Sequence, residues 1–229
     1  MNKEVVVISL GGSIIVPDRI QTSLLEKFKQ ILNSNKNKYK FVVVCGGGSI
    51  ARKYISSLRE INKSQFLQSM AGIAVTRMNA RFMTYFFGRD ASQGIPHDMR
   101  QVSHLLRKND VVFCGALRYE ANNTSDGTAA KIASFLKTDF INMTNVKGLY
   151  DKNPLTNKNA RFISRESWDN FLRRVNKIKF KAGQHYVLDQ SAAKIIEQHK
   201  IKTYIIGSDM SNLDKLLNKK KFVGTIIAD

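Results

Sequence analysis

The chain has 229 residues, enough for one domain with a substantial core, and its 43% hydrophobic content is that of a globular protein rather than a disordered one. Two cysteines exclude a disulfide framework, no apolar run reaches the roughly 18 residues that span a bilayer, and Glu4 with Gly11-Gly12 interrupts any signal peptide, so a cytoplasmic protein without a membrane partner is expected. Basic residues outnumber acidic ones 37 to 18, a formal charge of +19 that fits anionic substrates, a polyanionic partner or simply a basic proteome.

The first predicted element is the β-branched run 5–10, which ends in Gly11-Gly12-Ser13. Such a run reads as a buried strand feeding a turn where backbone approaches a ligand. A helix follows over Leu24, Leu25, Phe28, Ile31 and Leu32, with Thr22 or Ser23 as its cap. The second strand, 41–45, repeats the pattern and runs into Gly46-Gly47-Gly48-Ser49, then a helix through Ile50, Tyr54, Ile55 and Leu58. The stretch 64–87 carries Met and aromatic residues on more than one face and is either central or a subunit interface.

A third strand, 111–114, ends in Gly115, and a polar loop leads to Thr124-Ser125-Asp126-Gly127, which opens a helix through Ala129, Ile132, Ala133 and Leu136. Asp126 reads as an N-cap and equally as a carboxylate that orients cations or metal-bound phosphate. Strand 140–143 enters Thr144-Asn145-Val146-Lys147-Gly148-Leu149-Tyr150. Beyond Asn153-Pro154 the chain is polar and basic, with an amphipathic piece carrying Trp168, Phe171, Leu172 and Val175. Asp189 caps a helix over Ala192, Ala193, Ile195 and Ile196, and strands 204–206 and 225–227 close the chain. Alternating strands and helices predict an α/β fold: a three-layer α/β/α sandwich around a central, mostly parallel sheet.

Several chemistries are unsupported. There is no G-x-x-x-x-G-K-[ST], H-E-x-x-H, paired C-x-x-C, EF-hand loop or G-x-S-x-G, and no protein-built metal site is expected. His97, His104, His185 and His199 lack metal-ligand spacing and read as surface or packing residues; Cys45 and Cys114 read as small buried residues. The sequons at Asn62, Asn122, Asn123 and Asn142 read as chance in a protein that is not exported. The lysines are spread over positions taken as solvent-facing, including Lys27, Lys29, Lys36, Lys38, Lys40, Lys177, Lys179, Lys181 and 219–221. No RNA-binding aromatic signature accompanies them, so nucleic acid is not required for function, although weak electrostatic association with RNA is compatible.

Paired glycine turns fit phosphoryl transfer, which needs positioning and neutralisation of spread negative charge rather than covalent chemistry. Arg52, four residues past Gly48, is placed to lean over the second turn. The strings GGS, CGGGSIARKY, AVTRMNAR, TSDGTAAKIA, TNVKGLYDKNP, AGQHYVLDQSAAKII and GTII occur in order along the whole chain. Together they resemble the amino acid kinase superfamily and, within it, archaeal-type uridylate (UMP) kinases.

That resemblance implies a single domain, 1–229, with an acceptor half at about 1–138 and an ATP half at about 139–229. It also implies a homohexamer that uses ATP with Mg²⁺ to convert UMP to UDP in pyrimidine metabolism. By position, Gly12, Ser13, Gly48, Arg52, Thr144, Asn145, Tyr150 and Asn153 fall on the ATP side, and Gly47, Ser69, Ala116, Thr124 and Ser125 on the UMP side. Arg52 and Asp126 fall on catalytic positions. Ser9 stands where many superfamily members have lysine, Asn153 where aspartate is common, and Ser69 where an acidic residue touches ribose. The loop from Gly115 to Asp126 is about two residues longer than the family pattern. Two alternatives stay open: a sister kinase such as an isopentenyl phosphate kinase, whose usual acceptor histidine neither glycine turn contains, or a non-catalytic nucleotide-binding regulator.

Overall fold

The computed structural model describes residues 3–17, 19–121, 123–177 and 187–229. In chain order the elements are β1 (Glu4–Leu10), α1 (Gly12–Ile15), α2 (Thr22–Asn35), β2 (Tyr39–Cys45), α3 (Gly48–Glu60), α4 (Gln65–Phe87), α5 (Met99–Lys108), β3 (Val111–Cys114), α6 (Ser125–Leu136) and β4 (Phe140–Met143). They continue with β5 (Leu149–Tyr150), β6 (Phe162–Ile163), β7 (Arg165–Glu166), α7 (Trp168–Asn176), α8 (Gln190–Gln198), β8 (Thr203–Ile206), α9 (Met210–Leu217) and β9 (Thr225–Ile227). The readings that fall on Lys179, Lys181, His185 and Asn122 lie outside the described residues.

Seven strands form one sheet in the order β3-β2-β1-β4-β8-β9-β7. The pairs among β3, β2, β1, β4 and β8 are parallel, β9 runs antiparallel to β8, and β7 lies parallel to β9. The strand runs are apolar without alternation because both faces are covered. Ile8, Leu10, Phe41, Val43 and Cys45 meet Leu25, Phe28 and Leu32 of α2, Ala80, Met83 and Phe87 of α4, and Met210 and Leu213 of α9. Val7, Val42, Val44 and Val112 turn the other way, onto Val102 of α5, Ile132 and Ala133 of α6, Phe171 of α7 and Ile196 of α8. The α/β/α sandwich expected from the alternating pattern is therefore present.

Some local expectations are corrected. α2 is not capped by Thr22 or Ser23; its N-cap is Gln21, without a side-chain bond. Asp126 is not the N-cap of α6 either. Thr124 takes that place, its hydroxyl accepting from Gly127 N at 3.1 Å, which leaves the Asp126 carboxylate free to face elsewhere. Asp189 caps α8 as expected, accepting from Ala192 N at 2.9 Å. The long Met/aromatic stretch is one helix that buries Val75, Asn79, Ala80 and Met83 while exposing Phe66, Leu67, Met78 and Tyr85.

Not all lysines expected in solvent are there. Lys29 Nζ reaches Phe87 O at 3.0 Å and Asp90 at 3.3 Å, and Lys40 Nζ reaches Leu106 O at 2.6 Å. Three others occupy an unusual backbone region: Lys137, Lys200 and Lys219, just past α6, α8 and α9, have φ of 52°, 49° and 56°. Each costs about 1 kcal/mol against the glycine usually found there. Among the described residues no helix is long and apolar enough to cross a membrane.

Candidate functional site

The register Leu10↔Cys45 brings the ends of β1 and β2 level, so their glycine turns lie side by side at the carboxyl edge of the parallel strands. Ligands bind at this edge in open α/β sheets. The turns are joined backbone to backbone. Gly46 N donates to Leu10 O at 2.9 Å, and Gly11 N donates to Met143 O at 3.2 Å, which ties in β4. A Cβ on Gly12 would lie 2.2 Å from Gly48 N, and Gly48 itself sits at φ +61°. Both positions thus require glycine, one for space and one for conformation.

From α4, the buried Asn79 donates Nδ2 to Gly46 O at 2.7 Å. A satisfied buried carbonyl of this kind contributes about 1 kcal/mol and fixes the height of the second turn. α3 begins at Gly48, so its first N–H groups and the positive end of its dipole face the same space. Ser49 Oγ donates to Pro17 O at 2.9 Å and closes the first turn over the second.

These elements enclose a cleft of about 430 Å³. Of the residues singled out in the sequence, Gly12, Ser13, Gly47, Gly48, Arg52, Ser125, Asp126, Thr144, Asn145, Tyr150 and Asn153 all line it. Ser69, Ala116 and Thr124 are not among its lining residues. Ser69 is half-buried on α4, and the Thr124 hydroxyl is spent on Gly127 N and on Asp189, to which it donates. Ala116 is buried and pinned to α4: its N–H donates to Thr76 Oγ1 at 3.0 Å, and its carbonyl accepts from Arg77 Nε at 3.0 Å. Arg77 also donates to Leu117 O. Further along the same loop, Tyr119 meets Phe66 edge to face at 4.9 Å and Glu120 pairs with Lys131. The loop that follows β3 is thus held in place beside the cleft rather than forming its wall.

The distinctive charge in the cleft is Asp126. Its pKa is raised from 3.8 to about 7, chiefly by burial and then by the nearby Asp189, against the opposing hydrogen bond from Ser9. Ser9 is 1% exposed on β1, and its Oγ donates to Asp126 Oδ1 at 2.7 Å. A lysine at that position would bring a compensating charge; serine brings one hydrogen bond. Near neutral pH the carboxyl is therefore poised between its two protonation states.

Cys45 and Cys114 are buried, burial pushing the first thiol well up and the second up to about 12, so neither is a nucleophile. His97, His104 and His199 are exposed, as expected of surface residues.

Sequence reasoning missed two contributors. Asn142, in the middle of β4, lines the cleft and donates Nδ2 to Val187 O, tying the sheet to the segment before α8. The signal was a polar residue inside an apolar strand. Asn79 was hidden by the helical Met/aromatic stripe around it, because a single buried amide leaves no periodic mark.

The sequence model of the amino acid kinase family matches residues 4–207. A uridylate kinase of Archaeoglobus fulgidus is 37% identical over 97% of this chain and 99% of its own length. The uridylate kinase of Thermococcus kodakarensis is 31% identical over 97% and 98%. The crystal structure of uridylate kinase from A. fulgidus superposes with a TM-score of 0.85 at 36% identity, covering 97% of this chain and 99% of that one. UMP kinase from Ureaplasma parvum superposes with a TM-score of 0.79 at 19% identity, a likeness of fold.

Proposed function

The chain belongs to the amino acid kinase family, and on that premise we propose that it transfers the γ-phosphoryl group of ATP to UMP, giving ADP and UDP. The observation that carries the reading is the fused pair of glycine turns under the N-terminus of α3, with Arg52 and Asp126 lining the same cleft. The likeness to uridylate kinases along nearly the whole chain supports UMP as the acceptor.

In this reading the chain is a single domain, with the acceptor half at about 1–138 and the ATP half at about 139–229. Gly12 and Ser13 receive the ATP phosphates, and Gly48 with Arg52 holds the transferred group from the other side. Thr144, Asn145, Tyr150 and Asn153 surround the nucleoside of ATP. Gly47, Ser125, Thr124, Ala116 and Ser69 belong to the UMP side, Thr124 and Ala116 through the placement of the acceptor loop rather than through the cleft wall. The UMP phosphate has a second pKa of about 6, so the attacking oxygen is already ionised and no general base is required. The barrier is repulsion between anions, which the α3 N-terminus, the turn N–H groups and Arg52 reduce as charge moves from donor to acceptor.

The donor set fits Mg²⁺ arriving with ATP. Asp126 and Asp151 are carboxylates lining the cleft, Ser13 and Ser125 add hydroxyls, and magnesium characteristically takes one or two carboxylates plus substrate phosphates. When bound, the ion neutralises donor phosphate charge. Asp126 would hold it, giving up its proton on doing so. The exposed Phe66, Leu67, Met78 and Tyr85 of α4 support self-association, and we assign the protein as a cytoplasmic homohexamer.

Purified protein with MgATP should phosphorylate UMP far faster than CMP, AMP or isopentenyl phosphate, with UDP identified as product; comparable turnover of another acceptor refutes the assignment. Arg52→Ala should lower kcat by at least about tenfold, the scale of one charge-assisted contact. Arg52 is exposed and makes no ion pair among the described residues, so its loss leaves the fold intact and unchanged kinetics would remove it from the mechanism.

A further inference from the structure

The loops that lead into β1, β2, β3, β4 and β8 all open at the end of the sheet opposite the cleft, because these strands are parallel. That end is basic. Lys36 and Lys38 precede β2, Arg107 and Lys108 precede β3, Lys137 precedes β4, and Lys200 and Lys202 precede β8; all are exposed. The end of α9 joins the same face. Lys38 Nζ donates to Asn218 Oδ1 at 2.8 Å, and Lys219 Nζ lies 4.0 Å from Glu4, with Lys220 and Lys221 following, both exposed.

Carboxylates answer only part of this charge. Lys3 pairs with Asp110 and Lys200 with Glu197, while Lys202 stands near Asp139. Among the described residues, Arg107, Lys108, Lys137, Lys220 and Lys221 make no ion pair.

Helix-end electrostatics favour a cation after a helix, but they do not explain this density. Lys137, Lys200 and Lys219 hold left-handed backbone that glycine would adopt without strain, so the charge is kept against the backbone's preference. Lys220, Lys221, Lys36 and Lys38 form basic clusters in the loops themselves. Phe135, 52% exposed in the last turn of α6, stands two residues before Lys137 as an aromatic platform. Phe135 is an isolated exposed apolar side chain on this face, which does not suit insertion into a lipid surface. The face is built of loops rather than a projecting helix, so nothing enters a major groove.

We propose that this pole binds single-stranded RNA through its phosphate backbone, without sequence readout and without occupying the nucleotide cleft. Lysines along a rim with an aromatic platform are the arrangement that suits such a strand.

The test is fluorescence anisotropy with a labelled oligocytidylate of about twenty nucleotides across a salt series. The variant carrying Lys108→Gln, Lys137→Gln, Lys220→Gln and Lys221→Gln should bind at least about tenfold more weakly, its salt slope reduced by about 0.7 per lost contact. A control with Lys27→Gln, Arg59→Gln, Lys63→Gln and Lys158→Gln removes the same charge elsewhere and should retain wild-type affinity. Phosphoryl transfer should be unchanged in both. A third variant, Lys137→Gly, Lys200→Gly and Lys219→Gly, should melt higher than wild type yet bind RNA more weakly, which separates the charge from any structural role. No binding by the wild type, equal loss in pole and control variants, RNA affinity retained in either pole variant, or tighter binding to phosphatidylserine vesicles than to RNA would each overturn the proposal.

Discussion

Gly12→Ala is expected to lower kcat/KM for phosphoryl transfer by at least about a hundredfold while leaving a folded protein. An added Cβ at Gly12 would meet Gly48 N at 2.2 Å, Gly47 C at 2.6 Å and Gly46 O at 2.7 Å. All three are backbone atoms, so no side chain can rotate away. The turns must separate, and their separation breaks the register that Gly46 N to Leu10 O and Asn79 Nδ2 to Gly46 O maintain. Overpacking of this kind costs about 1–3 kcal/mol of stability. The larger effect is on rate, because a displacement of about 1 Å among positioning groups alone costs about a hundredfold.

Two controls isolate the cause. Gly94→Ala meets nothing within 4 Å and should behave as wild type. Gly88→Ala also meets nothing but sits at φ +60° and ψ −124°, a glycine conformation, so it should lose about 1–3 kcal/mol of stability and keep its rate. Steady-state kinetics beside thermal melts of the three variants decide the matter. Near-normal kcat/KM in Gly12→Ala would mean that the two turns do not act as one surface.

The glycine turns and their strands were legible because burial on both faces forces a continuous apolar run, and a turn that touches another backbone must end in glycine. Other elements leave weaker marks. α5 spaces Met99, Val102, Leu105 and Leu106 along one face, so its period is plain in the sequence; its low overall hydrophobicity is why the helix went unpredicted. β7 is Arg165–Glu166, two charged residues whose strand character comes from pairing with Ile226 and Ile227. The antiparallel direction of β9 follows from the short return after α9, a matter of tertiary packing rather than of residue type.

The site shows the same division. Backbone-binding positions could be read from local strings. Ser9 and Asp126 lie 117 positions apart and meet only because β1 sits under the start of α6. Family resemblance marked each of them separately; their hydrogen bond, and what it does to the carboxyl, is a property of the fold. Ala116 and Thr124 make the converse point: a motif places residues on one side of a site but does not say whether they form its wall or anchor a loop beside it.

Asp126→Asn is expected to stabilise the protein above neutral pH and to lower kcat by at least about a hundredfold, opposite effects from one substitution. With its pKa raised from 3.8 to about 7, chiefly by burial, the folded protein binds this proton more tightly than the unfolded chain does between those values. Unfolding free energy therefore falls as pH rises from about 4 to about 7, and the full penalty stands above that window. A rise of that size corresponds to about 4 kcal/mol; because the residue lines an open cleft, solvent screening reduces this to about 2 kcal/mol.

Asparagine has the shape of the protonated acid, still accepts from Ser9 Oγ and carries no charge to bury. Ligand-free Asp126→Asn should consequently melt about 4–8 °C above wild type at about pH 8, the difference vanishing towards pH 4. The charge of Asp189 adds to the rise of the Asp126 pKa. Asp189→Asn should shift the window towards lower pH, at the cost of part of the α8 cap. Parallel melting curves for wild type and Asp126→Asn across this range would show that the carboxyl is ionised in the folded protein throughout. A rate preserved in Asp126→Asn would show that its charge does no work on the phosphates. If both expectations hold, Ser9 has a clear consequence: it gives the Asp126 carboxyl one hydrogen bond and no positive charge, so stability is given up in the ligand-free cleft above neutral pH, and a divalent cation held by that carboxylate would recover it.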